Sequence, residues 1–497
     1  MTLEPILMKP KFPFGVCLCL ALSASAPQAR AANDSARLFD LPTIRDVSDL
    51  ETTVIQDWKP NATDPAIRQK LIEITVCEWW PGQKVRLPVT LNIPAKGVPC
   101  RNILVANMPL RVKPATPRGE QLELLKKHGV GVVLIGMGTI DAMKPAGELH
   151  LGMKKWLLKT KDVRYTPAWI WGMSQMRALT AASAETDVFR PERVLTTGGS
   201  KRGVAAAVAG IHDDRFTAIM PVVAPPLGNP GGTMVIGTGA RALGAADRLF
   251  FEELAAGQLG LDPGIKQALD DRSGRRAAQR VTLEQVKSAG WNDSEIQDLT
   301  GRCWDACRIV DFLPRLDSRG LDYFYVVGAN DSVTPALLEL GRRHPDFPIH
   351  IVPGGQHGGP ATAGFTRRTP LMPEAKQNFL TFALHHFFGA RDLVPPPQIT
   401  HRWLPDGLTL RVEAIFPEGI EPGRNALWWS IDKSEPFTLF FEYDRWDSQA
   451  MERRESGRYA AELTFRIPPK RLDILTVHTH VENDLSFTVS SPYLRAR

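Results

Sequence analysis

The chain has 497 residues, of which 43% are hydrophobic and 23% charged, with a formal net charge of +6 at pH 7. This composition is typical of a globular protein that buries a sizeable core, and it excludes a fibrous or disordered chain. Because the basic residues are scattered and form no stripe with aromatic residues, we expect no nucleic-acid partner.

The first 31 residues have the pattern of a cleaved export signal. Lys9 and Lys11 form a basic start, residues 12–24 are apolar, and the Ala-Arg-Ala run at 29–31 fits a cleavage site. The apolar run is too short to span a membrane as a helix. We therefore expect a periplasmic or secreted protein that has no stable membrane insertion after cleavage.

Four of the six cysteines, namely Cys77, Cys100, Cys303 and Cys307, lie beyond this segment. An even number in an oxidising compartment permits two disulfides. Proximity along the chain favours Cys77–Cys100 and Cys303–Cys307, although three connectivities are open. Zinc is a weaker alternative, because the second pair is widely spaced and has no histidine nearby in the sequence. We expect neither a metal nor another cofactor.

Residues 32–394 alternate strand and helix in the order of an α/β-hydrolase fold, a mostly parallel sheet with helices on both faces. The polar segment 32–70 is predicted to wrap the surface. A hairpin is predicted over 71–80 and 84–94. The later predicted strands are 101–108, 130–137, 194–199, 216–223, 321–327 and 347–352. The predicted helices are 119–128, 167–184, 201–211, 335–343 and 374–388.

Two regions interrupt or follow this alternation. Residues 226–310 begin rich in Gly and Pro and then become helical over 245–259 and 282–289, which predicts a cap over the substrate pocket; a packing insert is the alternative. Three prolines at 395–397 mark a linker. Beyond it, short alternating runs predict a β-sandwich over 395–497, of the immunoglobulin or fibronectin type III kind.

Three tryptophans, Trp428, Trp429 and Trp446, lie in the predicted sandwich. They are predicted to be core residues rather than a platform for sugars. Contact of this region with a glycan or a protein partner is the alternative that stays open.

Ser200 lies where an apolar strand breaks at Gly198 and Gly199 and runs directly into an alanine-rich helix. A nucleophile elbow needs this strand–turn–helix context, with small residues beside the serine. The G-x-S-x-G motif fails at its last position, where Arg202 stands and Gly203 follows one residue late. A serine that merely caps the helix is the alternative.

Two later loops favour the elbow. Asp331 follows the predicted strand 321–327, and His357 follows the predicted strand 347–352. Ser200, Asp331 and His357 thus stand in the chain order of an α/β-hydrolase triad, at the strand ends where open α/β sheets place their sites. The serine needs His357 as its base, and the imidazole needs Asp331 to fix its tautomer.

An oxyanion would be bound by backbone N–H groups. The N–H of Lys201 is the first candidate, and Leu110 or Met108, after the predicted strand 101–108, supplies the second, since Pro109 has no N–H. The Lys201 side chain either adds a positive charge over the site or is solvated at the helix start.

The run from Thr197 to Gly203, the segment Trp171-Gly172-Met173-Ser174-Gln175-Met176-Arg177-Ala178-Leu179 and Ile309-Val310-Asp311 resemble the PhoPQ-activated pathogenicity-related protein family. The resemblance implies an exported serine hydrolase similar to α/β-hydrolases, and it covers most of the mature chain. The family usually has an acidic residue soon after the aspartate of the seventh strand, whereas Ser332 follows Asp331 here.

The elbow also resembles that of glucuronoyl esterases, which carry an arginine after the nucleophile to steady the oxyanion. Lys201 occupies that place. Those enzymes often carry the acid after the sixth strand, but the run Val222-Val223-Ala224-Pro225 has no carboxylate, which favours Asp331. This resemblance implies an ester or sugar ester as the substrate.

Three functions follow from these patterns. An exported serine carboxylesterase is the first. A peptidase for short or cationic peptides is the second, although the insertion carries both acidic and basic residues. A surface-binding protein on a hydrolase scaffold is the third, and a complete triad argues against it.

Overall fold

The computed structural model describes residues 38–97, 99–108, 113–137, 148–227, 236–237, 281–292, 294–295, 306–331, 334, 336–357, 373–433 and 444–497. The predicted export signal, the predicted helix 245–259 and the candidate oxyanion residue Leu110 lie outside the described residues. No helix within these ranges is long and apolar enough to cross a membrane.

A ten-stranded sheet forms the centre of the fold. The strands up to residue 352 are β1 Thr53–Pro60, β2 Ile67–Trp80, β3 Gln83–Pro94, β4 Cys100–Met108, β5 Gly131–Gly136, β6 Phe189–Gly199, β7 Ala218–Val222, β8 Ile236–Gly237, β9 Val281–Thr282, β10 Asp322–Tyr323, β11 Tyr325–Gly328 and β12 Ile349–Val352. Strands β8 and β9 pair with each other in a separate two-stranded sheet.

The described helices lie between these strands and after them. They are α1 Leu41–Arg45, α2 Gly119–His128, α3 Glu148–Thr160, α4 Pro167–Ala184, α5 Lys201–His212, α6 Leu283–Ser288, α7 Leu313–Ser318, α8 Leu337–Arg343 and α9 Asn378–Phe388.

The large sheet has the strand order β1-β2-β3-β5-β4-β6-β7-β11-β12, with β10 beside β7. Strand β3 is antiparallel to both of its neighbours, and every pair from β5 to β12 is parallel. Apart from the added edge strand β1, this is the α/β-hydrolase topology. The fold class predicted from the sequence is therefore confirmed.

All six residues of β5 are buried, which explains why its sequence is apolar throughout. Val133 and Ile135 share a core with α4 and α5 on one face. Val132 and Leu134 share a core with α2 and α9 on the other. Helices thus cover both faces, as a parallel sheet requires.

The segment 32–70 differs from the prediction, because part of it joins the sheet. Residues 53–60 form β1, which pairs antiparallel with β2 at the edge of the sheet. Six of its eight residues are exposed, including Val54 and Ile55. Only Gln56 and Trp58 are half-buried, so the sequence of this strand lacks the apolar alternation that marks a strand with one buried face.

The predicted disulfide Cys77–Cys100 is wrong, since both residues are free cysteines. Cys77 lies near the carboxyl end of β2, whereas Cys100 begins β4, and the two strands run in the same direction, so the two cysteines lie at opposite ends of the strands. Two further strands separate β2 from β4, a span of roughly 14 Å, while a disulfide needs Cα atoms within about 7 Å. Cys303 lies outside the described residues, so its pairing with Cys307 stays a prediction.

Arg177 lies in the α4 segment that carries the family resemblance, and it fastens the amino-terminal segment to the sheet. Arg177 is 2% exposed, and its guanidinium donates to the carbonyl oxygens of Thr75, Thr43, Ile44 and Asp46 at 3.0–3.2 Å. The planar fork of arginine allows one side chain to serve all four acceptors.

The described residues from 398 to 497 form two antiparallel sheets. Their strands are β13 Gln398–Trp403, β14 Thr409–Ile415, β15 Arg424–Ile431, β16 Asp447–Ala450, β17 Glu452–Glu455, β18 Arg458–Thr464, β19 Leu472–Glu482, β20 Leu485–Ser490 and β21 Leu494–Arg495. Val412 of β14, Leu427 of β15 and Phe487 of β20 share one core between the sheets. The arrangement agrees with a β-sandwich.

The three tryptophans of this region pack against core. Trp428 and Trp446 contact the core that β11 and β12 share with β19, and Trp429 contacts the core between the two sheets. The structure thus favours the core interpretation over a sugar platform.

Strand β12 is the last strand of the large sheet, and β20 lies against it. The N–H of Ile351 donates to Ser490 Oγ at 2.9 Å, and the Ser490 hydroxyl donates to the Ile351 carbonyl oxygen at 3.2 Å. One serine side chain thus satisfies both backbone groups of an edge residue.

Candidate active site

The turn between β6 and α5 holds Ser200 in a strained conformation. Ser200 has φ 58° and ψ −127°, a backbone conformation outside the regions that residues other than glycine ordinarily adopt. Its N–H donates to the Val222 carbonyl oxygen and its own carbonyl accepts from Val204 N–H, both at 2.9 Å. The serine is therefore presented at the carboxyl end of β6 by a turn that the neighbouring strand and the helix both hold.

The loops that carry Asp331 and His357 touch through their backbones. A Cβ on Gly328 would lie 2.2 Å from the Gly355 carbonyl oxygen, so the two chains meet this closely because residue 328 is glycine. The same carbonyl accepts the Asn330 N–H at 2.8 Å. The loops after β11 and β12 thus form one unit.

The structure brings the three predicted residues together. Ser200 Oγ lies 2.6 Å from His357 Nε2, and His357 Nδ1 lies 3.1 Å and 3.3 Å from the two carboxylate oxygens of Asp331. The Asp331 side chain is fully buried, and that of His357 is 33% exposed. The hydroxyl can donate to Nε2 while Nδ1–H donates to the carboxylate, which is the arrangement that removes a serine proton.

The candidate oxyanion donors lie at the ends of two adjacent strands. Lys201 is the first residue of α5, where backbone N–H groups have no partner within the helix. Val105 of β4 is level with Thr196 of β6, so three residues further on Met108 is level with Gly199. Met108, which is buried, thus stands beside the elbow at the start of the loop that contains Leu110.

Sequence reasoning missed a hydrogen bond between two amide side chains at the same place. Gln175 of α4, fully buried, donates from Nε2 to Asn107 Oδ1 at 2.6 Å. Asn107 precedes Met108 in β4, so the pair fastens the strand end from which the candidate oxyanion loop departs. The resemblance segment in α4 contained Gln175, but the sequence did not indicate its partner.

A second hydroxyl–imidazole–carboxylate set lies at the other ends of these strands. His386 Nε2 is 2.9 Å from Thr217 Oγ1, and His386 Nδ1 is 2.7 Å from Asp322 Oδ2. Thr217 directly precedes β7 and its hydroxyl oxygen also accepts the Val194 N–H at 2.8 Å. The Thr217 hydroxyl already accepts a backbone hydrogen bond within the sheet, and no strand–turn–helix elbow presents it. We therefore interpret Thr217, His386 and Asp322 as a structural hydrogen-bond network rather than a catalytic one.

Within the part of the chain that the structure describes, no group of three or more His, Cys, Asp or Glu side chains is placed to hold a metal ion.

Comparison with known families matches one segment of the chain to the family that the sequence resembles. Residues 152–230 match the sequence model of the PhoPQ-activated pathogenicity-related protein family. The match runs from α3 through the elbow and past β7, and so includes Gln175, Arg177 and Ser200. No curated protein sequence matches the chain.

Solved structures that are similar to this chain include three esterases. An acetyl xylan esterase from Paenibacillus sp. R4 has a TM-score of 0.39 and 14% identity, over 66% of this chain and 90% of that one. Acetyl xylan esterase 1 from Thermoanaerobacterium sp. JW/SL YS485 has a TM-score of 0.39 and 11% identity, over 72% of this chain and 93% of that one. A glucuronoyl esterase from Solibacter usitatus has a TM-score of 0.28 and 16% identity, over 41% of this chain and 60% of that one.

Proposed function

We propose that this chain is an exported serine hydrolase, and specifically a carboxylesterase that acts through Ser200, His357 and Asp331. The observation that carries the proposal is the contact of 2.6 Å between Ser200 Oγ and His357 Nε2, on a turn with positive φ and with a buried carboxylate behind the imidazole. A helix cap would explain a serine at this position, but not its contact with that imidazole.

The proposed reaction has two stages, acylation of Ser200 and hydrolysis of the acyl-enzyme. Ser200 Oγ attacks the ester carbonyl carbon while His357 Nε2 takes the hydroxyl proton, and Asp331 stabilises the imidazolium. The Lys201 N–H and an N–H from the loop after β4 bind the oxyanion. The intermediate collapses, the alcohol leaves with the proton from His357, and an acyl group remains on Ser200. Water, deprotonated by His357, then releases the acid and restores the serine.

We propose small-molecule esters or sugar esters as substrates. Support comes from the elbow, whose Lys201 occupies the place of the arginine in glucuronoyl esterases. A cationic Lys201 side chain near the oxyanion would help bind the acyl carbonyl. Replacing Lys201 with Met keeps the backbone N–H and removes the charge, so a lower kcat in this variant would assign a role to the ammonium group.

The experiment that tests the proposal compares two hydroxyl variants. Wild type should cleave p-nitrophenyl acyl esters and take up a fluorophosphonate probe, and Ser200→Ala should lose both, with kcat falling on the order of 10⁴-fold or more. Thr217→Val is the matched control, since it removes the hydroxyl of the second set and should keep probe labelling. Labelling of Ser200→Ala, or no labelling of wild type, would contradict the proposal, and cleavage of peptides without esters would favour a peptidase.

A further inference from the structure

Asn330, the residue before the catalytic acid, is held by residues more than a hundred positions later in the chain. Its Nδ2 donates to the Asp444 carbonyl oxygen at 2.7 Å, and its Oδ1 accepts from Trp446 Nε1 at 2.9 Å. The residue is 1% exposed. We propose that this clamp, made by Asp444 and Trp446 on Asn330, positions Asp331 against His357; the inference rests on the proposed function.

The clamp joins three parts of the molecule at a single residue. The Asn330 backbone N–H donates to Gly355 in the histidine loop, while its side chain is held by the segment before β16. If the buried Asn330 amide loses one of these partners, we expect the side chain to rotate or the loop to move until the amide is hydrogen-bonded again. An unpaired buried polar group raises the free energy of the folded state. Any such shift moves the next residue, Asp331.

The far side of the clamp is itself anchored. The ring of Trp446 meets that of Tyr493 edge to face at 5.7 Å, and the Tyr493 hydroxyl donates to Asp473 at 2.9 Å. Lys433 Nζ lies 3.3 Å from Asp444 Oδ2, and its side chain is 1% exposed. The segment that holds Asn330 is therefore fixed to β19 and to the residues just after β15.

The effect on the reaction follows from distances. The Asp331 oxygens lie 3.1 Å and 3.3 Å from His357 Nδ1, so a displacement of roughly 1 Å would break the hydrogen bond that orients the base. Misplacement of that size lowers rates by up to about a hundredfold. Trp446 acts through Asn330 rather than on the reacting atoms, which makes it a positioning residue.

Trp446→Phe is the informative variant, because it keeps an aromatic ring at this position and removes the N–H donor to Asn330 together with the five-membered ring that carries it. We expect kcat to fall roughly tenfold with KM unchanged. Trp403→Phe is the matched control: Trp403 is also half-buried, and its Nε1 donates to a carbonyl oxygen, that of Ala496, at 3.1 Å. It should leave kcat unchanged.

A second pair of variants separates positioning from general destabilisation. If Trp446 acts through Asp331, Trp446→Phe should cause no further loss of kcat in the Asp331→Asn background. An equal tenfold loss in that background would overturn the proposal, and so would a Trp446→Phe variant with unchanged kcat in the wild-type background.

An activity-independent readout keeps the clamp testable if the proposed function fails. The proton between His357 Nδ1 and Asp331 should give a downfield NMR signal that is absent in His357→Ala. We expect this signal to broaden or vanish in Trp446→Phe and to persist in Trp403→Phe. Its persistence in Trp446→Phe would overturn the clamp, whereas absence of ester cleavage by wild type would overturn only the assigned reaction.

Discussion

Gly198 and Arg202 lie in contact across the turn that presents Ser200. A Cβ on Gly198 would come within 2.6 Å of the Arg202 carbonyl oxygen and 2.8 Å of its Cβ. In G-x-S-x-G motifs both positions that meet across the turn are glycine. Here Gly198 alone leaves the space for the close approach, so the second position can hold Arg202. The late glycine, Gly203, serves a different contact, since a Cβ there would lie 2.7 Å from the Val222 carbonyl oxygen of β7.

Gly198→Ala should therefore deform the elbow. We expect Ser200 to be displaced, with loss of probe labelling and a decrease of about 2–4 kcal/mol in the free energy of unfolding. Gly199→Ala is the matched control for stability, because a Cβ at Gly199 meets nothing within 4 Å. Denaturant unfolding measures both variants, and equal free energies of unfolding for the two would contradict the contact.

Arg177→Lys should destabilise the fold although the charge is kept. An ammonium group has three N–H donors and the guanidinium serves four carbonyl oxygens, so at least one buried acceptor loses its donor. We expect a loss of about 1–3 kcal/mol in the free energy of unfolding. Arg342→Lys, at an exposed pair with Glu339, should leave the denaturation midpoint unchanged. A wild-type midpoint for Arg177→Lys would refute this role.

Acidification should destabilise the protein through its buried histidines. Burial lowers the pKa of His478 and of His212 to about 3 and that of His350 to about 4, from an ordinary 6.5. Between pH 6.5 and 4 the unfolded chain therefore binds protons that the native state does not, and stability falls as the pH falls. The slope is at most roughly 1.4 kcal/mol per pH unit for each imidazole.

His478→Gln tests this interpretation at one site. The His478 ring contacts Asn425 Oδ1 at 2.6 Å and Thr476 Oγ1 at 2.7 Å, which an amide can also reach. The variant should show a shallower decrease in the free energy of unfolding between pH 6.5 and 4, measured by urea unfolding at several pH values. An unchanged slope would show that His478 does not contribute.

Cys77 and Cys100 should behave as slow thiols in the folded protein. Burial raises the pKa of each to about 12, and the thiolate is the form that reacts. We expect iodoacetamide to modify neither in the native state and both after unfolding, as mass spectrometry of peptides would show. A non-reduced peptide that links Cys77 to Cys100 would contradict their free state.

Much of the fold could be predicted because local signals agreed with the tertiary structure. The predicted helix 167–184 has the bounds of α4, where proline at the first turn fits the helix start. The predicted helix 119–128 ends before Gly129, as α2 does. The predicted strand 321–327 is observed as β10 and β11, interrupted at Phe324.

The disulfide prediction was wrong because it used closeness in sequence as a guide to closeness in space. Cys77 and Cys100 are near in sequence but lie at opposite ends of their strands, because β3 runs back along β2 before β4 begins. For the candidate site, the order and strand-end positions of Ser200, Asp331 and His357 could be predicted. The clamp on Asn330 could not, since no local pattern connects it to Trp446.

The cover of β12 by Ser490 has a consequence for truncated forms of the protein. An uncovered edge strand offers its N–H and carbonyl groups to any other extended chain, and intermolecular sheets grow from such edges. A fragment that ends at residue 394 would expose Ile351 in this way. We expect such a fragment to aggregate on refolding, so the carboxyl-terminal sheets protect the solubility of the hydrolase fold.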